Sequence, residues 1–230
     1  MRRGLAIIAM AAVVVAGGSG PATAQDPSER VAPYLQALEA RETGEITGRV
    51  FGESKRPSGA PMPYAGVSVV AVPYGADLER QLDAIKQRQR DTMKTYLDVY
   101  AQVAAARSAY ERDLRAGGGG ALIRESVSDA EGVVRFTGLP AGQWLLLGWR
   151  EEKHAVKAPR IPPKDEGKFA QTPVVTGYAA VSYWRVPVSV RAGETTAVSL
   201  SDRGVWLTAV REELKQPDAA TGPPPFRDRR

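Results

Sequence analysis

Few residues of this sequence have the types and spacing that catalysis requires. His154 is the single histidine and the sequence contains no cysteine, so a zinc site built from His and Cys ligands is excluded by count. A Ser-His-acid triad would have to use His154, and no Gly-x-Ser-x-Gly motif accompanies it. The sequence therefore predicts a protein that is not an enzyme and that has no cofactor or metal site.

Two further segments could suggest ion or phosphate binding. Asp129 and Glu131 lack the repeated, alternating carboxylates of a calcium loop, and turn formation accounts for them. The glycines at residues 117–120 follow a helical pattern, and the Gly-Lys-Ser/Thr of a phosphate loop does not come after them. We expect the glycines to form a flexible connection from the helical segment back to the sheet rather than to bind a ligand.

Aromatic side chains are the residues with the clearest potential for binding. Trp and Tyr rings can stack on sugar rings, as they do in carbohydrate-binding modules. Because large aromatics also dominate core burial, the alternative is that these rings pack in the core or against a helix. The candidate stacking residues are Trp149, Tyr183, Trp184 and Trp206.

Residues 1–24 have the features of a secretory signal peptide. Arg2 and Arg3 precede a short apolar run at residues 5–16, and the small residues before Gln25 predict cleavage after Ala24. The apolar run is too short to span a bilayer. We therefore expect a periplasmic or secreted protein with no membrane span after cleavage.

The distribution of charge argues against a nucleic-acid partner. The formal net charge is +5, and the basic residues are interspersed with acids except for three arginines at the C-terminal end. Proteins that bind nucleic acids carry their basic residues as a clustered patch or stripe. We expect a solvated, mixed surface instead.

Residues 126–147, with the sequence SVSDAEGVVRFTGLPAGQWLLL, predict two strands and two tight turns. Asp129 and Gly132 favour the first turn, since an Asp side chain can accept hydrogen bonds from its own backbone and Gly tolerates positive φ. Pro140 and Gly142 favour the second turn. The strands beside these turns are rich in β-branched and aromatic residues, which indicates a meander in an antiparallel sheet.

This stretch resembles the bacterial carboxypeptidase regulatory-like domain, a transthyretin-type β-sandwich. It matches the pattern D-x-x-G-x-x-x-F-x-x-L-P-x-G-x-[aromatic]-x-L, with Trp144 where the family usually has Tyr. The matching residues are Asp129, Gly132, Phe136, Leu139, Pro140, Gly142 and Leu146. Residues 46–50 and 65–69 are similar to the family's opening strands, and residues 186–200 to its closing strands.

The resemblance implies a mainly β fold: an antiparallel, transthyretin-like (Ig-like) sandwich of about seven strands. The matched residues are turn and core positions, so the resemblance implies an architecture but no reaction or ligand. Hydrolases of this fold that act on a purine-degradation intermediate use several histidines and a Tyr-Arg-Gly-Ser ending. This sequence has neither, so the resemblance does not extend to that activity.

A long α-helical insertion, residues 76–116, is predicted between the second and third strands. Residues 76–115 contain no Gly or Pro, and residue types that favour helices dominate. One long helix, straight or bent, is favoured over a hairpin capped by Asp91, because no Gly or Pro marks a turn. Large apolar residues recur at helical spacing, interrupted by Arg107. They are Leu78, Leu82, Ile85, Met93, Tyr96, Tyr100, Val103, Tyr110 and Leu114.

This apolar helical stripe has two alternative uses. It can pack against a helix of another chain, as in a coiled-coil zipper, or it can cover the sandwich of its own chain. The resemblance places Trp144 and Leu146 towards the core, so Leu145, Leu147 and Trp149 lie on the opposite face of the same strand. A strand that is apolar on both faces is normally covered on both, which makes the stripe the predicted cover.

The remaining segments complete the predicted organisation. Residues 25–43 form a polar segment with a short helix that starts near Pro33, and the sandwich occupies residues 44–213. Residues 151–172 are a loop, and residues 214–230 are a disordered, Pro-rich tail. We expect an exported, non-catalytic binding or scaffolding protein of the bacterial periplasm or envelope, with an envelope protein as its partner. The alternative is a carbohydrate-binding module with a glycan ligand.

Overall fold

The computed structural model describes residues 26–54, 59–155 and 174–215, which form two β-sheets and three α-helices. The helices are α1 Pro27–Glu39, α2 Ala76–Arg88 and α3 Met93–Ala116. The strands are β1 Thr43–Gly52, β2 Met62–Pro63, β3 Ser68–Pro73, β4 Arg124–Val127, β5 Val133–Pro140, β6 Gly142–Ala155, β7 Val174–Val190, β8 Thr195–Ser201 and β9 Leu207–Lys215. The predicted signal peptide, 1–24, lies outside the described residues, and so does the predicted tail from residue 216 onward.

The strands form two sheets, as expected for the predicted sandwich. In the first sheet, β1 pairs antiparallel with β2 and β5 and parallel with β8. The second sheet has the order β4-β3-β6-β7-β9, and all its pairs are antiparallel. The mainly β, antiparallel sandwich class is therefore confirmed. The described residues contain nine strands rather than about seven, partly because the two-residue β2 lies in a segment predicted as a loop.

The core between the sheets follows from the alternation of side chains along each strand. Ile46 and Val50 of β1 are fully buried, and Trp144 and Leu146 of β6 are fully buried in the facing sheet. The indole N–H of Trp144 donates to the carbonyl of Pro140 at 3.0 Å. The ring of Tyr34 from α1 meets Trp144 edge-on at 5.5 Å, so α1 contributes to the surroundings of this core residue.

The other face of the second sheet is covered by α2 and α3, which confirms the predicted role of the stripe. Leu145 and Leu147 of β6 are buried on this side. From the helices, Leu82 is fully buried, and the hydroxyl of Tyr110 donates to the carbonyl of Pro73 in β3 at 2.8 Å. The helical insertion is thus part of the hydrophobic core of the protein.

The insertion is a hairpin of two helices, so the prediction of one long helix was wrong. Residues 89–92 separate α2 from α3, and Thr92 rather than Asp91 caps the second helix. The Thr92 hydroxyl accepts from the backbone N–H of Thr95 at 3.1 Å, and the Thr95 hydroxyl accepts from that of Thr92 at 2.9 Å. This reciprocal capping box begins a new helix at Met93, so the helical segment is interrupted without Gly or Pro. The hairpin lies between β3 and β4 because β2 adds a strand before it.

Three predicted boundaries differ from those observed. The first helix begins at Pro27 rather than near Pro33, since Asp26 accepts a hydrogen bond from the backbone of Ser28 at 2.9 Å and Pro favours the first turn. Residues 151–155, predicted as a loop, extend β6 because they pair with β7. Residues 214 and 215, predicted as tail, end β9.

The buried hydroxyl of Tyr110, which donates to the Pro73 carbonyl, predicts a pH dependence of stability. Burial raises the pKa of Tyr110 to about 12. In the unfolded chain the phenol ionises near pH 10, at about its ordinary pKa. Between that pH and the higher folded pKa, only the unfolded state is stabilised by ionisation. The free energy of unfolding should therefore hold steady below about pH 10 and fall as the pH rises towards about 12.

Urea unfolding at several alkaline pH values checks this dependence. Burial also raises the pKa of Tyr34 and Tyr183, so Tyr110→Phe should flatten the alkaline loss of stability without abolishing it. Tyr178→Phe is the matched control, because it removes a phenol from a side chain that is 38% exposed. A slope in Tyr110→Phe as steep as that of the natural protein would contradict the prediction.

Candidate functional site

A cavity of about 220 Å³ lies between the helical hairpin and the second sheet. We call this cavity the crevice. Its walls include Tyr100 and Val103 from α3, Leu147 and Trp149 from β6, Tyr183 from β7, and Trp206 just before β9. The walls are thus mainly aromatic and aliphatic, a lining typical of small-molecule sites.

Strand pairing and helix periodicity bring these residues together. Trp149 and Tyr183 are direct cross-strand partners in the β6–β7 pair, so their side chains project from the same face. The backbone N–H of Trp206 donates to the Tyr183 carbonyl at 2.8 Å, which fixes Trp206 beside them. On α3, Tyr100, Val103 and Arg107 follow one another at steps of three and four residues and therefore share a helix face.

Cationic side chains lie over the aromatic rings of the crevice. The guanidinium carbon of Arg107 is 4.4 Å from the centre of the Trp149 ring, and that of Arg211 is 5.4 Å from the Tyr100 ring. These are cation–π distances. A sugar could reach the covered ring faces only by displacing the cations.

Trp206 has two such cations. The guanidinium carbon of Arg185 is 4.6 Å from the ring centre, and the Lys86 ammonium nitrogen is 5.6 Å from it. Trp206 itself is half-buried. Its ring is therefore held between the sheet, which supplies Arg185, and α2, which supplies Lys86.

Each arginine of the crevice is paired with a carboxylate. Arg185 lies 2.8 Å from Asp83, Arg211 lies 2.7 Å from Glu151, and Arg107 lies 3.4 Å from Glu111. The inner walls therefore have little net charge, and the ion pairs fix the guanidinium groups over the rings. Burial also raises the pKa of the Tyr183 phenol, a group that is already neutral at physiological pH at its ordinary pKa.

Trp184 was also predicted as a stacking residue, and it borders the crevice, but its ring is buried within the sandwich and has no exposed face for stacking. Its side chain is only 1% exposed, and its indole N–H donates to the carbonyl of Ser201 at 2.6 Å. Adjacent residues of a strand point to opposite faces, so Tyr183 faces the helices while Trp184 enters the sandwich near Gly148. Trp149, Tyr183 and Trp206, the other predicted stacking residues, also line the crevice.

Most of the helical stripe is buried within the protein. Tyr96 and Tyr100 are half-buried, and Met93 is 73% exposed. The buried members cannot form a zipper with a partner helix, because they are already buried within the fold. They are Leu78, Leu82, Ile85, Val103, Tyr110 and Leu114.

The cations of the crevice were not among the predicted site residues. Arg107 was interpreted as an interruption of the stripe, although its position seven residues after Tyr100 places it on the same helix face. Lys86, Arg185 and Arg211 lie in three different elements, and no local pattern links them. Their aromatic partners are the only sequence signal that could have indicated them.

His154 lies far along β6 and has a packing role. Its ring stacks on Tyr178 at 4.9 Å, and its Nε2 is 3.9 Å from a carboxylate oxygen of Glu152. Within the described ranges, no group of three or more His, Cys, Asp or Glu side chains is arranged to hold a metal ion. The helices of these ranges include none long and apolar enough to cross a membrane.

Comparison with known proteins gives only distant similarities. No protein-family model matches the sequence, and no curated protein matches it. Among solved structures, the chain is similar to a proposed carbohydrate binding protein from Pseudomonas aeruginosa, with 16% identity and a TM-score of 0.38, over 70% of this chain and 88% of that one.

Pilus proteins are similar at the same distant level. The pilus backbone protein of Streptococcus pneumoniae has 15% identity and a TM-score of 0.25, over 69% of this chain and 40% of that one. The minor pilin of Streptococcus agalactiae has 9% identity and a TM-score of 0.28, over 69% of this chain and 94% of that one. Similarity this distant assigns neither a ligand nor a partner.

Proposed function

We propose that this chain is an exported, non-catalytic binding protein of the bacterial periplasm or envelope, and that the crevice is its ligand site. The sandwich, of the carboxypeptidase regulatory-like type, serves as the scaffold of this site. The observation that carries the proposal is the cavity of about 220 Å³ with aromatic walls. Protein interiors are close-packed and contain few voids larger than a water molecule, so a space of this size supports a site that admits a ligand.

The ionisable groups at the crevice support binding rather than catalysis. Glu151 accepts from Arg211 at 2.7 Å and from the Tyr100 hydroxyl at 3.4 Å. Glu111 lies between Arg107 and Arg115, at 3.4 and 3.3 Å. Both carboxylates are thus engaged by side chains of the fold itself. The crevice thus offers apolar contact and fixed charges.

A cavity-filling substitution tests the site. Ala104 lines the crevice, whereas its neighbour Ala105 is exposed on the same helix. We expect Ala104→Leu to weaken the binding of a small apolar probe, N-phenyl-1-naphthylamine, by at least about tenfold, which corresponds to about 1.4 kcal/mol. Ala105→Leu adds the same atoms outside the crevice and should bind like the natural protein. Probe fluorescence and tryptophan emission report the binding.

Other results would identify another function. Equal probe binding by both variants, or no binding by the natural protein, would contradict the crevice as a ligand site. A panel of soluble glycans, titrated in the same way, addresses the carbohydrate alternative. Glycan binding that survives Ala104→Leu would show a carbohydrate site elsewhere on the protein.

A further inference from the structure

An open groove of about 640 Å³ lies beside the crevice, at the bend between α2 and α3. Its walls include Lys86 and Arg90 near the end of α2, Met93 and Tyr96 at the start of α3, and Trp206 with Thr208 at β9. Trp206 also lines the crevice, so a single side chain borders both spaces. A ligand that extends past Trp206 would occupy the two together.

The two spaces differ in charge. In the crevice, Arg107, Arg185 and Arg211 each pair with a carboxylate. In the groove, neither Lys86 nor Arg90 forms an ion pair with any carboxylate of the described residues. The groove therefore has an uncompensated positive charge at the end of a nearly neutral, apolar cavity.

The groove also has an apolar floor. Met93 is 73% exposed, the highest value among the exposed large hydrophobic residues of the described chain, and Tyr96 is half-buried next to it. An unbranched thioether is adaptable and suits contact with a flexible ligand. Cations beside exposed apolar side chains match a molecule whose charged and apolar parts are joined.

The sizes of the two spaces lead to the same conclusion. Pockets for complete small molecules usually measure about 300–1,000 Å³, so the crevice of about 220 Å³ takes only part of such a ligand. The crevice thus suits an apolar tail, and the remainder of the ligand would lie in the groove.

We infer that the ligand is an anionic amphiphile whose apolar part enters the crevice past Trp206 and whose carboxylate or phosphate lies in the groove beside Lys86 and Arg90. The inference rests on the proposed function, because it assigns a ligand class to the same site. The head group pairs with cations that form no ion pair with a carboxylate of the described residues. The tail replaces water along aromatic and aliphatic walls, which is favourable in proportion to the apolar area buried.

A series of ten-carbon compounds tests the assignment. Decanoate, decyl phosphate, decanol and decyltrimethylammonium share one tail and differ in their head groups. Each is titrated, below its micelle concentration, against the protein loaded with N-phenyl-1-naphthylamine. We expect at least one of the two anions to displace the probe at a concentration at least about tenfold lower than decanol, and the cation to displace it least. Added salt should narrow this difference, since partly exposed charges are screened.

A pair of charge variants locates the head group. Lys86→Gln with Arg90→Gln should raise the displacing concentration of the preferred anion about tenfold and leave that of decanol unchanged. Arg112→Gln with Arg135→Gln removes the same charge from exposed positions away from the groove and should change neither. Both pairs lie at the surface, so circular dichroism should show the same fold for each.

The outcomes separate this inference from the proposed function. Decanol as effective as both anions would overturn the inference and leave the crevice a site for neutral molecules. An equal rise in the displacing concentration of the anion in the two charge variants would also overturn the inference. General electrostatic attraction to the protein would then explain the preference for anions. If the probe itself does not bind to the natural protein, the proposed function fails first.

Discussion

Gly132→Ala is expected to lower the free energy of unfolding by about 2–4 kcal/mol, through backbone strain and a steric clash together. Gly132 has φ of 73°, a left-handed conformation that an L side chain adopts at a cost of about 1–2 kcal/mol. A Cβ atom at this position would lie 2.3 Å from the carbonyl oxygen of Val50. The backbone cannot shift freely, because the Gly132 carbonyl accepts from the N–H of Val50 at 2.7 Å.

Gly138→Ala is the matched control for this prediction. Gly138 has a similar φ of 63°, but no atom lies within 4 Å of the position that a Cβ would occupy. This variant should therefore show only the conformational cost, about 1 kcal/mol. Urea unfolding followed by circular dichroism gives both values. Equal losses of stability in the two variants would contradict the prediction, because the close approach of Gly132 to the Val50 carbonyl would then add nothing to the conformational cost.

The meander was predictable because its signals are local. The Asp129 side chain accepts from the backbone of Glu131 at 3.1 Å and from that of Val133 at 2.7 Å, as expected for an Asp at a turn. Gly132 has the positive φ that the pattern required. Each of these contacts spans only a few residues, so the residue types alone determine the turn.

The break in the helical insertion was not predictable from the same kind of signal. Gly and Pro are the usual markers of a helix end, and neither occurs between α2 and α3. The hairpin ends one helix and caps the next with two threonines, Thr92 and Thr95. Thr at the third helical position is a weaker signal than the Glu or Gln of the usual capping box. The second sheet, which both helices cover, supplies the additional constraint.

The candidate site was predictable in its residue types but not in its geometry. All four predicted aromatic residues border the crevice, although the Trp184 ring is buried in the sandwich. Whether Tyr183 or Trp184 faces the helices depends on the register between β6 and β7, which pairs Tyr183 with Trp149. A shift of one residue would exchange the two faces. The cations come from distant elements and meet only in the folded chain.

Leu145→Ala and Leu146→Ala are each expected to lower the free energy of unfolding by about 2–5 kcal/mol. The two residues are adjacent in β6 and fully buried, yet they point to opposite faces of the sheet. Leu146 lies in the core between the two sheets, as the resemblance to the sandwich family implied. Leu145 lies under the helical hairpin. In a sandwich without the hairpin, Leu145 would be exposed and its truncation would have little effect.

The comparison of these two leucines therefore tests whether the hairpin is part of the core or an appendage. Val127→Ala, at a side chain that is 61% exposed at the edge of the same sheet, is the control and should change stability by less than about 0.5 kcal/mol. Unfolding in urea, with one transition seen by tryptophan emission and circular dichroism, gives the three values. A large loss for Leu146→Ala with a loss near the control for Leu145→Ala would mean that the hairpin opens freely from the sheet. The crevice would then have no fixed wall, because Tyr100, Val103 and Arg107 all reach it from α3.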